Sequence, residues 1–304
     1  MQGLMTVFYK ELADYFTSWR GIILFVVILL MGILAIIGPS GAVEIMRAEA
    51  TTAPTPFAFL GLFTAGSRPF IWRISMILMP IIGIVLGLDA INNEKNSGTL
   101  SRLLSQPIYR DTVINGKFLA GIVTIAVMLT TTILIIGGIG LLELGVAPTS
   151  EGVARLLLFW GVSILYGALW LGLAMLFSVF FKHVATSALT SIGIWVFFFL
   201  YTETMTDFIA QQTQNPQAFI IAMRISPLFL FWESMSVILV PGARTWTEYL
   251  QLSTSSVSFM SEHPLSLSQT MLTIWPQLAI IGGATVALFA ISYVKFMREE
   301  IRST

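Results

Sequence analysis

Few residues in this chain are able to do chemistry, and most of them fall in two places. Arg224 and Glu233 stand nine residues apart with Pro227 between them. On a straight helix that spacing puts them on different faces, but a turn at the proline would bring guanidinium and carboxylate together. Such a pair suits a gate better than a catalytic site. The second place is the stretch from Glu94 to Lys117, which holds Glu94, Lys95, Arg102, Arg110 and Lys117. Asp89, Glu143 and Glu203 lie where apolar runs end and read as boundary charges. His183 and His263 are far apart, so a histidine-rich metal site is not expected. The absence of cysteine excludes disulfides, thiolate metal sites and cysteine nucleophiles. There is no His-Glu-x-x-His pattern, and Ser163, Ser178 and Ser191 are lone serines. No catalytic residue and no metal are expected.

The elements that must position these residues are membrane helices. Only 11% of the 304 residues are charged and 56% are hydrophobic, where soluble domains carry about 25% charged residues. The formal net charge is zero, which gives no pull toward nucleic acid. Six apolar runs, 21–38, 70–88, 117–142, 153–181, 186–203 and 272–294, are long enough to cross a bilayer core about 30 Å thick. The segment 218–240 is also apolar, but it carries Arg224, Pro227 and Glu233, which make a lipid-facing crossing costly. A re-entrant or interfacial helix pair is the better reading. The expected fold is therefore an all-α membrane protein of one domain, 1–304, with six transmembrane helices.

Before the first run, residues 1–20 form an interfacial helix, with Leu4, Phe8, Leu12, Tyr15, Phe16 and Trp19 on one face and Lys10, Asp14 and Thr17 on the other. Glu11 and Asp14 argue against a cleaved secretory signal. Within the second run, Gly83 and Gly87 have the spacing of close helix packing, a weak dimerisation signal, and Pro80 is a possible kink. The third run starts near Asp111 as an N-cap. All five lysines, Lys10, Lys95, Lys117, Lys182 and Lys295, fall on one side of the six-span topology. By the positive-inside rule that side, with both termini, is cytoplasmic. The protein is expected in the cytoplasmic (plasma) membrane, with 204–271 as an extracytoplasmic loop holding the re-entrant segment.

The polar segment 89–117 is a cytoplasmic loop between spans two and three. Leu100, Leu103 and Leu104 share one helical face, and Ser101, Arg102 and Ser105 the other. Gly98 permits a sharp turn before this short helix, and Pro107 ends it. A helix of two turns is not stable alone and must pack on something.

The pattern Glu94-x-x-x-Gly98-Thr99-Leu100-x-x-Leu103-Leu104-x-x-Pro107-x-x-Arg110, followed by Gly116-Lys117, resembles the cytoplasmic loop of permease subunits of type-2 ABC exporters. The interfacial helix, six spans and re-entrant segment are similar to the same family over nearly the whole chain. Pro227 to Phe231 and the arginine-flanked tail are similar to its copper-enzyme-maturation branch. The resemblance implies a separate ABC-type ATP-binding subunit, docked on the helix around 97–107, and a second permease copy or a related permease as partner. Glu94 would orient the docking region and pair with a basic side chain. Gly98 and Thr99 would form the entry turn, Leu100, Leu103 and Leu104 the packing face, and Pro107 the end. Arg110 and Lys117 would contact the ATPase or lipid headgroups. ATP and Mg would be bound by the partner, since no Gly-x-x-x-x-Gly-Lys-Ser/Thr phosphate loop occurs here. A self-contained ion-coupled transporter or channel is the alternative, but it needs charged groups mid-span, and these spans are nearly free of them. The apolar, aromatic span surfaces suit a lipid-like, peptide or amphipathic cargo better than a small ion.

Overall fold

A computed structural model of the chain describes residues 2–37, 58–64, 70–99, 109–145, 147–211, 216–240, 242–246, 248 and 264–298. Every regular element among them is a helix. In chain order they are α1 (Gln2–Thr17), α2 (Trp19–Ile37), α3 (Ala58–Thr64), α4 (Phe70–Gly87), α5 (Asn92–Asn96), α6 (Arg110–Leu144), α7 (Ser150–Phe180), α8 (Val184–Gln211), α9 (Pro216–Met223), α10 (Pro227–Leu239) and α11 (Leu267–Arg298). Five helices are long and apolar enough to cross a membrane: α4 (running on into α5), α6, α7, α8 and α11. Helices α1 and α2, bent by 64° at Ser18, count as a sixth only when taken together as one broken span.

The helix ends follow from local chemistry. Thr149 caps α7, its hydroxyl accepting from the Gly152 amide at 3.0 Å. Gly145 closes α6 in the left-handed conformation, φ 65°, and its amide bonds back to Leu141 O. Pro227 opens α10, where its missing N–H costs nothing. Sequence reading placed Asp111 at the N-cap of the third span. The helix instead starts at Arg110, with Asp111 in its first turn, where a carboxylate meets the positive end of the helix dipole. Arg110 and Lys117 therefore lie on a helix and not in a loop. At 35 residues α6 is about 52 Å long, well beyond a bilayer core.

Helix α7 is the centre of the bundle, touching α3, α4, α6, α8, α10 and α11. Its seam with α4 is the closest. A Cβ on Gly83 would lie 2.5 Å from Gly167 O, and one on Gly87 would lie 2.8 Å from Leu171 O. The glycine spacing read as a dimerisation signal is thus used within the chain, because only hydrogen at those positions lets the two backbones meet. Pro80 lies in the same seam. Lacking an N–H, it leaves Met76 O without its helical donor, and the Tyr166 hydroxyl of α7 donates to that oxygen at 3.3 Å.

The segment 218–240 is two short helices joined by a turn at 224–226. With 13 residues, α10 reaches about 20 Å, too short to cross. Every residue from Leu228 to Leu239 is buried, and Phe231 stacks on Tyr166 at 4.3 Å between ring centroids.

Gly83→Ala should destabilise the fold by about 1–3 kcal/mol, because main-chain atoms of α7 have to move. Gly193→Ala, where a Cβ meets nothing within 4 Å, should be neutral or slightly stabilising. Thermal unfolding of the two variants in detergent compares them, and equal melting temperatures would refute the close-packed seam.

Candidate functional site

Helix α5 caps the end of α7. Ser178 Oγ accepts from the backbone amides of Ile91 and Asn92 at 2.9 and 3.2 Å. The Lys95 ammonium donates to Val179 O at 3.2 Å, and the Asn96 amide to Lys182 O at 2.7 Å. These oxygens belong to the last turn of α7 and the turn after it, where a helix leaves carbonyls unpaired and favours a cation. Beyond α5, Gly98 adopts φ +70°, the turn expected of it. The Thr99 hydroxyl bonds to Glu94 O at 3.3 Å and to Ser97 Oγ at 2.8 Å. The packing face expected at Leu100, Leu103 and Leu104, with its terminator Pro107, lies outside the described residues, as does His263.

The centre of this end is Lys117. Its ammonium bonds Glu11 Oε1 at 2.8 Å and Glu94 Oε1 at 2.9 Å, and its side chain is only 4% exposed. Residues of α1, α5 and α6 thereby meet in one buried ion cluster. Lys10 extends it, reaching Glu11 at 2.9 Å, Asp14 at 3.3 Å and Glu94 at 3.5 Å. Glu94 does pair with basic side chains. Lys117, expected at the ATPase or headgroup surface, is instead buried between α1, α5 and α6. Sequence periodicity gives a residue's face but not its depth, and Gly116 lets α1 settle on α6, with Val7 against it. Around the cluster is a cleft of ≈ 530 Å³, walled by α1, the ends of α2 and α4, α5 and α6. Arg20 pairs with Asp89 across its rim, and the Tyr15 hydroxyl donates to Leu86 O at 3.0 Å.

The electrostatics hold the cluster ionised. Burial alone would raise the Glu11 carboxyl, but Lys117 and then Lys10 outweigh it and keep it below its ordinary 4.5. Burial alone would lower the Lys10 ammonium, but its bond to Glu11 and the charges of Glu11, Glu94 and Asp14 raise it above its ordinary value. Burial, with these same carboxylates, raises the Tyr15 phenol.

All five lysines lie at this end, since Lys182 follows α7 and Lys295 sits over the Phe180 ring at 5.6 Å. The opposite end is held by arginines. Arg224 and Glu233 form a two-bonded pair, Nε to Oε2 at 3.0 Å and Nη2 to Oε1 at 2.7 Å. Gln277 of α11 adds a third bond to Glu233 Oε2 at 2.8 Å. Arg155 is wholly buried. It bonds Glu151 Oε1 at 3.0 Å, Ile238 O at 3.0 Å, Thr270 Oγ1 at 3.3 Å and Leu265 O, tying together α7, α10 and α11. Sequence reasoning missed Glu11, Gln277 and the role of Arg155. The available signal for Arg155 was its place one turn after Glu151 at the start of an apolar run. Among the described residues no group of His, Cys, Asp or Glu could hold a metal ion.

An all-α bundle of five or six apolar helices, with one polar end built from an angled helix and an ion cluster, defines a multi-pass membrane subunit. The chain belongs to the ABC-2 family of transporter proteins, whose family model matches residues 5–301. It is 28% identical over 301 residues to a probable ABC transporter permease protein NosY of Pseudomonas aeruginosa, covering 95% of this chain and 96% of that one. It is 30% identical over 207 residues to a probable ABC transporter permease protein NosY of Stutzerimonas stutzeri, covering 66% of this chain and 68% of that one. The chain is thus a permease subunit of an ABC transporter, a family that implies an ATP-binding partner subunit.

Lys117→Met should cost about 3–5 kcal/mol, the penalty for leaving buried carboxylates without their central cation. The pH dependence has a definite sign. Glu11, lowered in the folded state, contributes fully above pH 4.5 and loses that contribution as the pH falls below it. Lys10, raised in the folded state, contributes fully below pH 10.5 and loses that contribution above it. Melting temperatures measured across pH should therefore fall at both extremes, and Glu11→Gln should weaken the acid limb.

Proposed function

We propose that this permease subunit is driven by a separate ATPase subunit docked on the segment from Glu94 to Arg110, and that it couples ATP hydrolysis there to export of a substrate or transmission of force. The Lys117 end faces the cytoplasm. What supports this is the collection of all five lysines there. Both termini lie on that side, and the membrane is the cytoplasmic (plasma) membrane. The partner holds ATP and Mg, and two permease copies, or two related permeases, pair around the pathway. Leu100, Leu103 and Leu104 pack against the ATPase, Gly98 and Thr99 form the entry turn and Pro107 the exit, and Arg110 flanks the dock.

The observation that carries the reading is the double attachment of α5. It is bonded to α6 and α1 through Glu94 and Lys117, and to α7 through Ser178. A push on α5 reaches two long membrane helices, α6 and α7, through these bonds. Lys117 acts as the internal tie, with no contact to the partner. Outward transport follows the family resemblance, and Arg224 with Glu233 acts as a gate at the far end.

Leu103→Asp together with Leu104→Asp should abolish co-purification of the ATPase while the permease still inserts into the membrane. Affinity purification of the tagged permease, with its ATPase activity, reads the result. An unchanged complex would overturn this dock and place the ATPase contact elsewhere on the permease.

A further inference from the structure

The end of the bundle opposite Lys117 is fastened at three points, and they differ in kind. At the α9–α10 turn, Ser226 and Thr202 of α8 share a hydroxyl bond of 2.7 Å, and the Tyr201 hydroxyl donates to Ala222 O at 2.9 Å. At the far end of α10, Arg155 donates to Ile238 O from complete burial. Between them the middle of α10 is joined to α11 through Glu233 and Gln277. This third fastening depends on Arg224, whose side chain is 43% exposed while that of Glu233 is 6% exposed.

We propose that Arg224, Glu233 and Gln277 form a releasable latch that keeps α10 closed against α11, with Gln277 as a positioning residue not named by the charge pattern. The inference rests on the permease reading, which requires this end to open and close. Three features make this fastening the one to release. Arg224 lies at the protein surface, so it can leave without carrying a charge through the core. Its departure strands a buried carboxylate, which favours moving Glu233 out to solvent. Gln277 Oε1 is buried with no partner among the described residues, a cost the closed state bears and hydration removes. Pro276 precedes Gln277 inside α11 and removes one hydrogen bond of the helix ladder there. The outer turns of α11 therefore have a weak point beside the latch. Arg155 is the contrasting fixed point, since it is wholly buried and bonds both a carboxylate and the main-chain oxygens of Ile238 and Leu265.

The chain has no cysteine, so one introduced thiol reports alone. Ile274 is fully buried on the same face of α11 as Gln277 and Ile281. In phospholipid vesicles, the full chain carrying Ile274→Cys is labelled with a water-soluble maleimide. Adding Arg224→Gln or Gln277→Leu should speed labelling about tenfold, while Arg224→Lys should stay near the parent rate. Ile125→Cys, buried on α6 away from the latch, controls for general loosening and should stay protected in every background. Unchanged labelling at Ile274, or faster labelling at both positions, overturns the latch. No ATPase is needed, so the latch and the docking proposal fail independently.

Discussion

The bundle depends on two backbones meeting at Gly83 and Gly87. Between helices in lipid there is no water to expel, so association rests on close packing and on hydrogen bonds. Only a seam without side chains brings α4 within reach of Gly167 O and Leu171 O. That approach also sets the Tyr166 hydroxyl where it can repair the carbonyl freed by Pro80. Once α4 and α7 are joined, α7 presents its other faces to α6, α8, α10 and α11. The burial of α10, and with it the position of Glu233, follows from that order.

Charge is distributed by the same economy of burial. A charged group held away from water must be paired and hydrogen-bonded. The two ends solve this differently. Lys117 has two carboxylates from separate helices, so its site is a junction of side chains. Arg155 has one carboxylate and several neutral oxygens, a planar fork matched to acceptors in several directions. One end thus joins α5 to α1 and α6, while the other holds three helix ends in register.

Much of this was legible in the sequence. Long apolar runs gave the spans because length and hydropathy are one-dimensional properties. The charges and proline in 218–240 made a lipid-facing crossing costly and favoured a helix pair, and the structure has two short helices there. The Gly98 turn and a basic partner for Glu94 were also readable. What failed was depth and partnership. Lys117 looked like a surface lysine because nothing in its neighbourhood announces that Glu11, on a different helix, will cover it. Gly83 and Gly87 announced close packing but not with which helix. Gln277 carries no charge, so it stood out only once Glu233 lay beside it.

The buried lysine has a further consequence for how the chain is made. Glu11 and Lys117 are 106 residues apart. At synthesis rates of about 5–20 residues per second, the carboxylate waits roughly 5–20 s for its ammonium. During that wait α1 cannot take its final place against α6, and Glu11 must stay hydrated at the membrane surface. The ion cluster therefore cannot close until α6, the third long helix, has been made.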